Sequence, residues 1–376
     1  MSQPLPLSNY AGLSTRELSE RIESVRKQLG HRLLILGHHY QSDAVVSHTD
    51  MQGDSFQLSR EASERTDCEA IVFGGVHFMA ETADILANRP ERLAARGGRR
   101  IPVCLPDLEA GCPMADLANE MEITNCWTQL GAYLDLAEVT PITYVNSTAA
   151  LKAFCGARGG LACTSTNARA VLEWAFARRP RVLFVPDQHL GRNTLVQMGV
   201  RKDEMILWNP MQPLGGNTPE AIQRAKAILW YGYCEVHQEI TPQDLERSRQ
   251  ETSGVKIGVH PECCEAVVSV ADVAGSTAKL IDIVKNAAPG ERWAIGTERT
   301  LVERLARQYP ERVVGCVGGD AFAGRCQCKT MAKTMLANLA WTVENIAHGT
   351  PVNVIAVPEP VASDARLALE RMLAAK

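Results

Sequence analysis

The sequence predicts an α/β protein made of three similar α/β units with short parallel sheets, arranged with pseudo-threefold symmetry around a central site. Three observations predict it. Short apolar runs alternate with amphipathic helical stretches along the chain. The runs recur in three sets of similar order. A cysteine follows each set: Cys112, Cys234 and Cys328.

The elements follow in chain order. LLILG (33–37), IVFGG (71–75) and IPVCL (101–105) read as the strands of the first set. ITYVN (142–146), LACTS (161–165) and VLFVP (182–186) form the second. VKIGV (255–259), DVAGS (272–276) and WAIGT (293–297) form the third, with VVGCV (313–317) beyond it. Each run is short and lacks strict apolar/polar alternation, which suits strands buried on both faces. Between them, RAVLEWAFARR (169–179) and AKLIDIVKNA (278–287) carry apolar residues at three- and four-residue spacing, the pattern of a helix with one buried face. Strand and helix in alternation imply a parallel sheet covered by helices. The first strands of successive sets lie 109 and 113 residues apart. That period puts the units at 1–124, 125–240 and 241–376, supplying Cys112, Cys234 and Cys328 in turn.

Ligand sites in parallel α/β units gather at the carboxyl ends of strands. The first strands end in Gly37-His38-His39-Tyr40, Tyr144-Val145-Asn146-Ser147-Thr148 and Val259-His260-Pro261-Glu262. The second strands lead to ETAD (81–84), Thr164-Ser165-Thr166-Asn167 and Gly275-Ser276-Thr277. The last two open helices, where a hydroxyl can cap the helix or the free N–H groups can take a carboxylate or phosphate. The third strands lead into Pro106-Asp107, Pro186-Asp187 and Thr297-Glu298. Asp187 and His189 read as structural, capping a loop behind the site, and His237 as a partner of the Cys234 region.

Composition narrows the function. Hydrophobic residues make up 45% and charged residues 22%, which excludes disorder and coiled coil for the chain as a whole. A net charge of −4 without a basic stripe argues against nucleic acid. No apolar run reaches the ~18 residues of a membrane span, and the polar start lacks a signal-peptide pattern. The expected compartment is the cytosol, where the twelve cysteines stay reduced. No zinc-ribbon CxxC pair, GxGxxG after a strand, P-loop or HExxH occurs. The arginine-rich RPERLAARGGRR (89–100) reads as a solvated helix end and turn.

Ten ordered motifs carry a resemblance. They are GHHYQSD (37–43), GDSFQL (53–58), GVHFMAETA (75–83), PDLEAGCPMAD (106–116), YVNSTAALKA (144–153), CTSTNA (163–168), PDQHLGR (186–192), GYCEVH (232–237), VHPEC (259–263) and GST (275–277), closed by Cys328-Lys329-Thr330-Met331. From about residue 33 to 345 the chain resembles the quinolinate synthase family of the NadA type. The resemblance implies three related domains about a pseudo-threefold axis. Each gives one cysteine, here Cys112, Cys234 and Cys328, to a single [4Fe–4S] cluster. Three thiolates leave one iron open as a Lewis acid. The implied reaction condenses iminosuccinate with dihydroxyacetone phosphate to quinolinate, releasing phosphate and two waters, for NAD biosynthesis. An aspartate-oxidising enzyme would hand over the imine.

The family's substrate-binding positions map onto His38, Ser55, Tyr144, Val145, Asn146, Ser165, His260, Pro261, Glu262 and Thr277. Glu262 is implied as general base, with His260 and Tyr40 as proton shuttles or acids. Tyr144 and Asn146 would orient a substrate carboxylate. The chain departs from relatives with CxxCxxC near the C-terminus, having Cys326-Gln327-Cys328. Cys328 is the implied ligand because it precedes Lys-Thr-Met, and Cys326 is its alternative. Two other readings compete: a sensor holding zinc or a redox cluster, which needs no anionic pocket, and a cluster-free aldolase, which needs a Schiff-base lysine at a strand end. Lys256 lies at the start of a strand, the wrong end.

Overall fold

Three sheets, dominated by parallel pairing, organise the computed structural model, which describes residues 3–319 and 324–375. The chain divides into two compact units: Met1–Cys112 with Cys328–Ala362, and Pro113–Gln327 with Ser363–Lys376.

The first unit holds strands β1 (Leu33–His38), β2 (Met51–Gly53), β3 (Ala70–Gly74) and β4 (Val103–Cys104). All pair in parallel, with β1 between β2 and β3. Strand β1 is buried along its whole length, as a central strand covered on both faces must be. One cover is the helix Thr15–Leu29, entered by a capping box between Ser14 and Glu17. Its Leu18, Ile22 and Val25, spaced at four and three residues, meet Leu339 and Val343 of helix Leu336–Ala347 over Ile35 and Val72. At the end of β1, a Cβ on Gly37 would lie 2.5 Å from Thr49 Cγ2, so only glycine lets β1 and that turn approach.

The second unit holds two sheets. One contains β5 (Val139–Tyr144), β6 (Leu161–Cys163), β7 (Arg181–Val185), β8 (Met205–Trp208) and β9 (Ala227–Trp230), in the order β6-β5-β7-β9-β8. The other contains β10 (Lys256–Val259), β11 (Val273–Ala274), β12 (Trp293–Gly296) and β13 (Val313–Cys316), in the order β11-β10-β12-β13. Every pair in both is parallel. The last strand, β14 (Val354–Ile355), pairs antiparallel with β4 in the first unit.

The sheets of β1 and β10 repeat each other locally at a spacing of 222 residues. Ile35 N–H donates to Asp50 Oδ2 (2.7 Å) and Ile257 N–H to Asp272 Oδ2 (2.8 Å). His38 Nδ1 accepts from Tyr40 N–H (3.2 Å) and His260 Nδ1 from Glu262 N–H (3.4 Å). Ser55 and Thr277 are each the first residue of a helix, capped by Asp54 and Ser276.

Several expected elements shift. ETAD lies inside helix His77–Ala87, not at a strand end, because β3 stops at Gly74 and the helix starts three residues later. Ser165 lies in the turn before helix Ala168–Phe176, whose cap position is Asn167. Strands β2, β8, β9 and β14 were not expected. β2 and β14 are too short to make a pattern, and four-residue apolar runs such as MILW fit helix and strand alike. The arginine-rich stretch is not wholly solvated. Arg92 is buried, and its guanidinium donates to the carbonyls of Ala62, Ser63 and Arg65 at the end of helix Ser55–Glu64.

Candidate functional site

In the second unit, the ends of β5 and β10 bring two predicted residues into contact. Tyr144 closes β5, and its hydroxyl donates to Glu262 Oε1 at 2.5 Å. Glu262 follows β10 in the turn His260-Pro261-Glu262. His237 Nδ1 lies 2.9 Å from Glu262 Oε2, and the His237 and His260 rings stack at 4.4 Å. Cys234 caps the short helical turn Glu235–Gln238 that carries His237. Cys234, His237 and Glu262 place one ligand atom each within 4.8 Å of one another. Tyr144, His237, His260 and Glu262 are all buried.

Backbone contacts hold the turn. Asn193, in helix Gln188–Gln197, donates both amide hydrogens, to Pro261 O and Cys263 O, at 2.8 Å each. Gln238 Nε2 donates to Glu262 O at 2.8 Å. The carbonyls on, before and after Glu262 are thus all occupied, and the carboxylate has little freedom to swing.

The electrostatics separate two carboxyls. Burial pushes Glu262 up, but the His260 and His237 rings and the Tyr144 hydroxyl outweigh it and hold Glu262 below the usual carboxylate range. Asp187 goes the other way. Burial raises it well above the usual carboxylate range, and the neighbouring Glu262 charge raises it further. Burial lowers His260 to about 3, which outweighs the pull of the Glu262 charge and leaves its ring neutral. Burial also lowers His189, to about 4. A carboxyl held low, a second carboxyl pushed high and a neutral imidazole form a set able to take, give and relay protons.

The first unit presents its own strand-end group. The His38 and Tyr40 rings meet edge to face at 4.6 Å. His38 Nδ1 accepts from the Tyr40 backbone, which leaves Nε2 as the ring's donor nitrogen. Gln41 donates to Met331 O at 3.0 Å, tying this strand end to the segment after Cys328. Cys328 Sγ lies 3.4 Å from Thr330 Oγ1. Ser55 opens its helix beside Asp54, which makes a capping box with Gln57.

Most of the predicted residues in the second unit sit at strand ends. Asn146 Oδ1 is buried with no hydrogen-bond partner. Val145 is buried beside it. Thr277 has helix N–H groups around it, whereas Ser165 precedes its helix. Sequence reasoning underrated Asp187, which lies near enough to Glu262 to feel its charge and caps helix Gln188–Gln197 through Leu190 N–H. It placed His237 near Cys234 but not against Glu262. It missed Asn193, Gln238 and Lys152. Lys152 is fully buried and donates to Ser147 O behind the Tyr144 strand end. A lysine inside an apolar-looking helix was the available signal.

Parallel sheets whose strand ends gather a tyrosine, an ionised carboxylate, stacked imidazoles and a thiol define an α/β enzyme. The family model "Quinolinate synthetase A protein" matches residues 20–374. A quinolinate synthase of Rhodopirellula baltica is 51% identical over 99% of this chain and 94% of its own length. One of Corynebacterium glutamicum is 48% identical over 99% and 90%, and one of Bacillus velezensis is 44% identical over 97% and 95%. The chain belongs to the quinolinate synthase family. Among the described residues, no helix is long and apolar enough to cross a membrane.

Proposed function

We propose that the protein condenses iminosuccinate with dihydroxyacetone phosphate to quinolinate, releasing phosphate and two waters, as a step of NAD biosynthesis. A [4Fe–4S] cluster held by Cys112, Cys234 and Cys328 is part of this reading. The contact set of Tyr144, Glu262, His237 and Cys234 carries it, because a thiol beside an ionised base suits a cluster that faces substrate.

The cysteines fit the group. Cys112, Cys234 and Cys328 are partly exposed, as are Cys264 and Cys316, whereas Cys68, Cys104, Cys126, Cys155, Cys163, Cys263 and Cys326 are buried. Burial pushes the Cys104 thiol up to about 12 and that of Cys326 higher still, against the thiolate form a ligand needs. That favours Cys328 over Cys326. When bound, the cluster would supply an iron with an open position, a Lewis acid toward carboxylate and hydroxyl oxygens.

The chain's own residues do the rest. Glu262 Oε2 accepts a proton from a substrate carbon. The Tyr144 hydroxyl, already aligned on Oε1, steadies the ionised form, and by turning its one proton to a substrate carboxylate it would orient that group instead. His260 Nε2, as the protonated nitrogen of a neutral ring, donates a hydrogen bond to a departing oxygen, and Tyr40 and His38 are included in the reading as proton relays. Asn146 orients a carboxylate through its amide. The N-terminus of helix Thr277–Lys285 holds phosphate or carboxylate. Burial of Glu262 and His260 keeps bulk water from the transfers.

The same proposal includes three units at 1–124, 125–240 and 241–376 in pseudo-threefold arrangement, supported by one main sheet in each and by the local repeat at 222 residues. It includes a cytosolic setting, oxygen sensitivity and delivery of the imine by an aspartate-oxidising enzyme.

The test is an anaerobic assay with iminosuccinate generated in place and dihydroxyacetone phosphate added. The wild type is expected to make quinolinate. Cys112→Ala, Cys234→Ala and Cys328→Ala are each expected to lose iron and activity, while Cys68→Ala and Cys155→Ala keep both. Full iron content in all three of the first set would end the reading.

A further inference from the structure

We infer that Cys234, His237 and Glu262 form a binding site for a single divalent cation of the zinc class, filled when the chain lacks its iron–sulfur group. The three donors are one thiol, one imidazole nitrogen and one carboxylate oxygen, within 4.8 Å of one another. Bonds of about 2.0–2.3 Å to a tetrahedral ion put neighbouring donors roughly 3–4 Å apart. His237 Nδ1 and Glu262 Oε2 already stand 2.9 Å apart, and the Cys234 thiol is within 4.8 Å of both.

The surroundings orient the donors as they do in metal sites. His237 Nε2 is engaged by Thr297 Oγ1 at 3.1 Å, which leaves Nδ1 turned to Glu262. That nitrogen is buried and makes no aligned hydrogen bond, although the carboxylate is close. Glu262 Oε1 is occupied by the Tyr144 hydroxyl, which leaves Oε2 on the side of His237. A ligating imidazole fixed through its other nitrogen and a ligating carboxylate fixed through its other oxygen are the usual outer contacts of a bound ion.

The donor set selects the ion. Sulfur and nitrogen beside a single carboxylate exclude magnesium and calcium, which want oxygen, and suit zinc or cobalt(II) with one open position. A thiolate and a carboxylate also neutralise a divalent charge in this buried place. The ion would occupy Glu262 and Cys234 together. The further consequence, that it blocks cluster assembly, rests on the proposed function. The binding itself does not.

The experiment uses the full-length chain, prepared cluster-free and reduced, titrated with cobalt(II) alone and then zinc(II). The expected result is one equivalent of cobalt with a thiolate-to-metal charge-transfer band and four-coordinate visible bands, both erased by zinc. Cys234→Ala removes the charge-transfer band. His237→Ala weakens binding about 100-fold. Glu262→Gln, which keeps the side chain's shape, weakens binding while retaining the band. Cys264→Ala, another partly exposed thiol, changes nothing. No sulfur–cobalt band in the wild type, or a band that survives Cys234→Ala, overturns the inference. So does a band lost in Cys112→Ala or Cys328→Ala, since the ion would then sit on a different cysteine set. Iron uptake after zinc loading is read separately. Unhindered uptake with cobalt binding intact would overturn the exclusion and the role of Cys234 as a cluster ligand, and leave the cation site standing.

Discussion

Asn193 gives the sharpest check on how the Glu262 turn is held. Asn193→Ala deletes two buried 2.8 Å hydrogen bonds, to Pro261 O and Cys263 O. A buried backbone group left without its partner costs about 1–3 kcal/mol. The two share one small space, so the expected loss is about 2–4 kcal/mol. For a unit of this size about 2–4 °C of melting temperature accompanies each kcal/mol, so the transition should drop by about 5–15 °C. Asn193→Asp keeps the shape but replaces the donor nitrogen by an acceptor facing two carbonyls, so it should be at least as damaging. Thermal melts and urea titrations of both variants, followed by tryptophan fluorescence, measure this. Turnover per iron should also fall, by about 10–100-fold, because the carboxylate loses its anchor. An Asn193→Ala protein within about 0.5 kcal/mol of wild type would refute the reasoning, as would an Asn193→Asp variant more stable than the alanine one.

Other outcomes follow from the same contacts. Glu262→Gln should keep its iron and lose turnover, and normal turnover would remove Glu262 from the role of base. His189 has a folded pKa of about 4, below the ~6.5 of an unfolded histidine, chiefly through burial. The unfolded chain therefore takes the proton first. The neutral ring's contribution is fully present above pH ~6.5 and lost as pH falls toward 4, amounting to about 2–3 kcal/mol after allowance for partial solvent contact. His189→Phe should flatten the fall in melting temperature between pH 7 and 5, and an unchanged slope would contradict the assignment. Arg92→Met strips three carbonyls at the end of helix Ser55–Glu64 of their donor and should cost about 2–4 kcal/mol in urea unfolding.

Much was legible in the chain. Continuous apolar runs gave the central strands β1, β3, β5, β7, β10 and β12 because strands buried on both faces need nothing else. The strand-end polar residues His38, Tyr144, Asn146, His260 and Glu262 were visible because a polar cluster immediately after a buried strand has few structural uses. The local repeat was also present, as Ala44-Val45-Val46-Ser47 and Ala266-Val267-Val268-Ser269, but went unread because the flanking residues differ. The short edge strands were not legible, since two or three residues carry no period.

The order of apolar runs and of strand-end residues therefore determined the α/β class and the family. Those signals are local: burial on both faces, helical spacing and motif order are written in consecutive residues. Tertiary structure alone decided that His237 stands against Glu262, that Asp187 is pushed up while Glu262 is held down, and that Asn193 ties down the turn. Each depends on groups 25 to 118 residues apart meeting in a medium poor in water. There, a neighbour's charge and the loss of solvation set the protonation state, and neither can be read from residues taken one after another.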